Sequence, residues 1–117
     1  MKSDNIVKTK SYQFAIRIVH LYKLLVEEKK EYTLSKQLLR SGTSIGANVR
    51  EAEHAESKAD FIHKLSVALK EANETEYWID LLNETGYLNN SEYISIQFDI
   101  KEILKLLTSI IKTAKQK

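Results

Sequence analysis

The chain has 117 residues, 43% hydrophobic and 29% charged, with a formal net charge of +2. That is one domain's worth of ordinary globular composition. It has no cysteine, which excludes disulfides and thiolate metal sites, and no proline, so nothing forces a break in a helix. No apolar run is long enough to span a bilayer, and MKSDNIVKTK lacks the apolar core of a secretory signal, so the expected location is the cytoplasm.

Residues 1–8 read as a flexible arm of a single domain, 1–117. A first helix is expected from about Thr9 to Lys30. Phe14, Ile18, Leu21 and Leu25 repeat at 4-3-4 spacing, and Ala15, Val19, Tyr22 and Val26 widen the stripe. The charged run from Glu27 to Glu31 ends the pattern as a solvated turn, and Thr33 is placed to cap the next helix.

The second helix, Leu34 to about Ala55, has an unusual inward stripe: Leu34, Leu38, Ser41, Ile45, Asn48 and Ala52. Two polar residues stand where a bundle wants leucine, among Gly42, Ser44, Gly46 and Ala47. Each helical glycine costs about 1 kcal/mol relative to alanine. The expectation is a close backbone approach there, or another use for the spot.

Ser57 is placed to cap the third helix, with Asp60 in its first turn, where the helix dipole favours negative charge. Phe61, Leu65, Ala68, Ala72, Thr75, Ile79 and Leu82 then follow a 4-3-4-3-4-3 pattern. Gly86 suits the left-handed conformation beyond the helix end. Asn89 or Asn90 caps a fourth helix with the seam Ile96, Ile100, Ile103, Leu107, Ile110 and Ala114, broadened by Leu104 and Ile111. Strand alternation and hairpin turns are missing from the sequence. These patterns predict an all-α fold, an antiparallel up-down-up-down left-handed four-helix bundle.

Several side chains are candidates for more than packing. Arg40, Ser44, Asn48 and Glu51 share one face of the second helix. Counting outward from the turn near Ser57 brings Ser44 and Asn48 to the level of Ala68–Ala72, with Glu71 in reach of Arg40, Ser44 or Asn48 and Glu76 further on. A network fixing helix register is the expected role; a small-ligand or RNA contact is the other. Tyr77, Trp78 and Leu81, beside the third seam, exceed what one core takes and suggest an oligomer interface.

Residues 1–50 carry ten Lys/Arg against four Asp/Glu, residues 51–84 three against nine, and residues 85–117 five against three. Lys8, Lys10, Lys101, Lys105, Lys112 and Lys115 belong to the two basic segments, whose ends meet in an up-down bundle. Solvated faces are the plain reading; a basic surface for a polyanion, with the acidic face turned to a neighbouring subunit, is the sharper one. Glu51-x-x-His54 has a di-iron spacing but no second Glu-x-x-His, only Asp60-x-x-His63, so no metal site is assigned. No cofactor is implied. His20, His54 and His63 are paired with no evident nucleophile, and no phosphate loop occurs, so no catalytic residues are assigned.

Gln37-Leu38-x-Arg40 followed by Ser44-Ile45-x-x-Asn48-Val49-x-Glu51, with Phe61-x-x-x-Leu65-x-x-Ala68, Glu71 and Glu76, resembles the bacterial four-helix-bundle family encoded within intervening sequences of 23S ribosomal RNA genes. The likeness runs from about Ser11 to the C-terminus. The chain departs from the family at Ala52-Glu53-His54, where many members have glycine, and lacks the proline often found before the second helix. The resemblance implies a homo-oligomer, a pentamer, without enzymatic activity. The chain is also similar to the accessory protein of diversity-generating retroelements, a basic pentamer that binds nucleic acid and a reverse transcriptase. That likeness implies RNA, or an RNA-binding protein, as partner. The alternative is a protein–protein scaffold that binds no nucleic acid.

Overall fold

The computed structural model describes residues 2–117 as four helices: α1 (Lys2–Glu27), α2 (Leu34–Ala52), α3 (Lys58–Glu84) and α4 (Asn90–Gln116). No strand occurs among the described residues. The bundle measures 46 × 22 × 19 Å. Each helix packs side by side against two neighbours, α1 on α2 and α4, α3 on α2 and α4.

Side-chain partners show that every neighbouring pair is antiparallel, because later residues of one helix meet earlier residues of the next. Lys8 pairs with Glu53 while Ile18 reaches Gly42. Glu51 pairs with Lys64 while Arg40 pairs with Glu71. Asp80 meets Tyr93 and Glu76 meets Lys101. Lys10 pairs with Glu102 and Arg17 with Asp99.

The core is built from the four seams. Phe14, Ile18 and Leu25, then Leu38 and Ile45, then Leu65, Ile79 and Leu82, then Ile96, Ile100, Ile103 and Leu107 are all buried. The expected arm over residues 1–8 is instead the first two turns of α1. Val7 is buried there, one heptad before Phe14, so its burial extends the helix to Lys2. At the other end α1 stops at Glu27, three residues short of the expected Lys30. Lys30 takes a left-handed φ of 56°, and the Glu31 N–H closes the end on the Leu25 carbonyl. Similarly, α2 ends at Ala52 rather than Ala55.

The start of α2 differs from expectation in mechanism. Thr33 occupies the cap position but its side chain caps nothing. The Glu31 carboxylate does the work: it accepts from the backbone N–H groups of Thr33, Leu34 and Ser35 at 2.9, 2.9 and 2.8 Å. These are amides that the helix itself leaves unpaired. Glu31 is only 7% exposed, so it is not part of a solvated turn. Burial pushes its pKa up, but the bonds from Ser35, Leu34 and Thr33 together outweigh burial and hold the carboxyl below its ordinary 4.5.

The other three ends agree with the sequence. The Ser57 hydroxyl accepts from the Asp60 N–H at 3.0 Å, and Asn89 and Glu92 form a reciprocal capping box. Gly86 has φ +86°.

The glycines of α2 show why they are there. A Cβ on Gly42 would stand 2.9 Å from Ile18 Cγ1 and 3.0 Å from Cγ2, and one on Gly46 would stand 3.2 Å from the Ser11 carbonyl oxygen. Here α1 and α2 approach nearly to backbone contact.

Two outcomes are expected. Gly42→Ala should lose about 1–3 kcal/mol from overpacking against Ile18, more than the helix propensity it gains. In an Ile18→Ala background, where both offending carbons are gone, the same change should be neutral or stabilising; equal cost in both backgrounds by urea unfolding would contradict the close approach. Glu31→Ala should cost about 0.5–2 kcal/mol. Because the folded carboxyl titrates below 4.5, its contribution is complete above that pH and is lost as pH falls through the depressed value. The wild-type and Glu31→Ala unfolding free energies should therefore converge in acid, and a constant gap would refute this.

Candidate functional site

Two surface regions carry the side chains of interest: the α2–α3 edge and the outward face of α4. The edge begins with helix register. Gly42 faces α1, which turns Ser41 toward α3, where its hydroxyl lies 2.9 Å from that of buried Thr75. Further out, the exposed Arg40 guanidinium donates to Glu71 at 3.3 Å and to Glu74. Gln37 accepts from Arg40 Nε at 3.4 Å, and the Trp78 indole N–H donates to Glu74 at 3.0 Å. Tyr77 stands edge-on to Trp78, with ring centroids 5.0 Å apart. One string of polar contacts thus links Gln37, Arg40, Glu71, Glu74 and Trp78.

The other sequence candidates are placed differently. Ser44 donates to the Arg40 carbonyl at 2.6 Å and Asn48 to the Ser44 carbonyl at 2.9 Å, both within α2. Asn48 is half-buried, and Val49 fills the core slot expected of it. Glu51 is exposed and pairs with Lys64 at 3.3 Å; Glu76 pairs with Lys101 at 3.4 Å. The structure therefore joins Arg40 to Glu71 but leaves Ser44, Asn48, Glu51 and Glu76 outside that string. Gln37, Glu74 and the Ser41–Thr75 pair were not singled out as partners. Glu74 lies three residues beyond Glu71, the step that stays on one helix face, and this spacing is the signal that marks it. Trp78 is half-buried against the core, Leu81 half-buried and Tyr77 exposed.

The six lysines divide in two. Lys8 pairs with Glu53 at 2.8 Å, Lys10 with Glu102 at 2.9 Å and Lys101 with Glu76. The hydrogen bond from Lys8 holds the Glu53 carboxyl below its ordinary range. Lys105, Lys112 and Lys115 are exposed and have no carboxylate partner among the described residues. They belong to a stripe absent from the sequence reading: Ile94, Phe98, Lys101, Lys105, Thr108, Lys112 and Lys115, at 4-3-4-3-4-3 spacing, all exposed. It is the solvent-side counterpart of the α4 seam and spans roughly 32 Å at the α-helical rise.

Among the described residues no three His, Cys, Asp or Glu side chains gather as metal ligands, and His20, His54 and His63 are exposed. No helix is long and apolar enough to cross a membrane. A cavity of about 540 Å³ opens at the end of the bundle between Val7, Val49, Ala52, Phe61 and Leu65, with Lys8, Glu53 and His54 at its rim.

The division between Asn48 and Thr75 is measurable. Asn48→Leu should change stability by no more than about 0.5 kcal/mol, because it breaks only a bond within its own helix. Thr75→Val should cost about 1–2 kcal/mol by leaving the buried Ser41 hydroxyl short of its partner. The reverse ranking in chemical denaturation would return Asn48 to the register-fixing role.

No curated protein matches the chain. Among solved structures it is similar to a Bacteroides thetaiotaomicron protein of unknown function from the S23 ribosomal protein family, with a TM-score of 0.93 and 65% identity over 94% of this chain and 98% of that one. The family model described as 23S rRNA-intervening sequence protein matches residues 3–109, nearly all of the bundle. With the polar edge, the capped turns and all but the last turns of the α4 seam inside that match, the chain belongs to the 23S rRNA-intervening sequence protein family.

Proposed function

We propose that this protein is a non-enzymatic, self-assembling bundle of the cytoplasm that binds structured RNA, alone or within an RNA–protein complex, through the outward face of α4. The observation carrying this reading is the set of unpaired cations Lys105, Lys112 and Lys115 on one exposed stripe. A lysine already neutralised by a carboxylate must give up that partner before it can hold a phosphate. A free one releases only counterions from the nucleic acid, which favours binding. Lys8, Lys10 and Lys101 therefore count for less than the sequence suggests. Membership in a family named for ribosomal RNA intervening sequences is in keeping with RNA as the polyanion. Assembly would bring several such stripes together and raise avidity without new contacts.

The second reading is a scaffold that binds only protein. It is favoured by the exposed Ile94 and Phe98 on the same stripe.

Retention on structured RNA at ~0.1 M salt separates the two, since phosphate contacts weaken steeply as salt rises. RNA binding is expected to fall with salt, and replacing Lys105, Lys112 and Lys115 with glutamine should flatten the log–log salt slope by roughly 2–3. Lys8→Gln should leave that slope nearly unchanged. No retention at low salt, or an unaltered slope in the triple variant, would favour the scaffold.

A further inference from the structure

Among the described residues the most exposed large apolar side chain is Phe98, at 67%, with Ile94 one turn before it at 58%. An open groove of about 390 Å³ runs along α4 between Ile94, Gln97, Phe98, Lys101, Glu102 and Lys105. That is within the roughly 300–1,000 Å³ of small-molecule sites. Two of its three charges are already met, Lys101 by Glu76 at 3.4 Å and Glu102 by Lys10 at 2.9 Å. Lys105 has no carboxylate partner among the described residues, and Lys112 and Lys115 continue the line from it. The groove therefore has an aromatic wall at one end and a free cation at the other. They stand two helical turns apart, roughly 10 Å.

The floor is polar and held in one orientation. The Tyr93 hydroxyl donates to Asp80 at 2.8 Å and accepts from Gln97 Nε2 at 3.1 Å. The bond to Asp80 raises the Tyr93 phenol above its ordinary 10, which keeps that hydroxyl protonated. With its nitrogen tied to Tyr93, Gln97 leaves its amide oxygen to accept an N–H from a ligand.

We infer that the groove holds an unpaired nucleotide of the RNA. Its base stacks on Phe98 beside Ile94, an N–H of its Watson–Crick edge donates to the Gln97 amide oxygen, and a neighbouring phosphate sits on Lys105. The strand continues over Lys112 and Lys115. This rests on the RNA reading above and names the part of the RNA that is bound. One ligand then accounts for both halves of the stripe, because a nucleotide carries an apolar face and an anion within a short reach of each other. Paired bases do not fit. Their faces stack on one another, their Watson–Crick edges are spent, and the deep groove of an A-form helix admits no side chain. A loop, a bulge or a single-stranded end offers both face and edge. Every base has a π-face and an N–H on that edge, so the site selects for pairing state rather than for sequence.

The test is fluorescence anisotropy of the full chain at ~0.1 M salt, with one labelled RNA sequence offered as a single strand and as a blunt duplex. A site made of lysines alone would favour the duplex, whose charge density is higher. Preference for the single strand is expected instead. Phe98→Ala should weaken single-strand binding by roughly 5- to 100-fold, with the salt slope and the duplex affinity unchanged, because stacking involves no counterion. In Phe98→Trp the single strand should still bind, and its stacked base should quench the new indole; the wild type, whose one tryptophan is Trp78 on α3, supplies the background. No binding to either RNA would overturn both the RNA reading and this site. Salt-dependent binding that favours the duplex, or that survives Phe98→Ala, would overturn the stacking and leave the RNA reading standing. A loss in Phe98→Ala that comes with a fall in mass by light scattering, and without quenching in Phe98→Trp, would assign Phe98 to a protein contact and overturn the stacking as well.

Discussion

The near-contact of α1 and α2 at Gly42 is the constraint from which the rest of the bundle is set. Ile18 occupies the space a Gly42 side chain would take, and the Ser11 carbonyl crowds the corresponding space at Gly46. Two glycines in a helix cost about 2 kcal/mol in propensity, and closer dispersion contact along both helices offsets it. The rotation that points Gly42 at α1 points Ser41 at α3. There a leucine would hold the helices apart, whereas two hydroxyls 2.9 Å apart let them close. The polar interruption of the α2 seam and the glycines beside it thus have one cause: α2 is held tightly on both sides at the same level.

From that level outward, charge replaces apolar contact. Arg40 is exposed, and its ion pairs with Glu71 and Glu74 are screened by water, so they contribute about 0–1 kcal/mol to stability. Their effect is positional. Glu74 is held by Arg40 and in turn holds the Trp78 indole, which fixes a half-buried aromatic and the Tyr77 ring beside it. A flexible surface aromatic would lose conformational freedom on docking; one already held loses less.

Most of the fold was legible because the signal was periodic. Three of the four seams, the α2 seam as far as Ile45, Ser57, Gly86 and Asn89 follow from local rules that tertiary structure did not override. Equal distance to a turn brought Glu71 within reach of Arg40, Ser44 or Asn48, and Arg40 is the one it meets. The misses have physical reasons. Val7 and Ser11 continue the α1 frame, but lysines around them and a serine in a core slot hid it. Glu31 caps from two residues before the cap position, outside the usual pattern, and burial of an acid is not a sequence property. Asn48 looked inward because the frame was drawn through Ser41 and Ile45; the glycine-driven turn of α2 shifts the core slot to Val49. The α4 stripe lay in plain sight at heptad spacing but was read as separate lysines rather than as one face.

The same period that builds the interior also builds the exterior. A helix that keeps a strict three-and-four repeat returns its inner and its outer residues to fixed faces, so an exposed stripe stays straight for as long as the seam does. That is how residues 94–115 form a continuous edge, apolar at one end and basic at the other. Glu74 shows that such an edge can serve both inside and outside. A carboxylate accepts roughly four hydrogen bonds; Arg40 and Trp78 take two, and the side chain keeps 30% exposure. The network that orders α2 against α3 therefore leaves Glu74 with acceptor capacity that solvent still reaches.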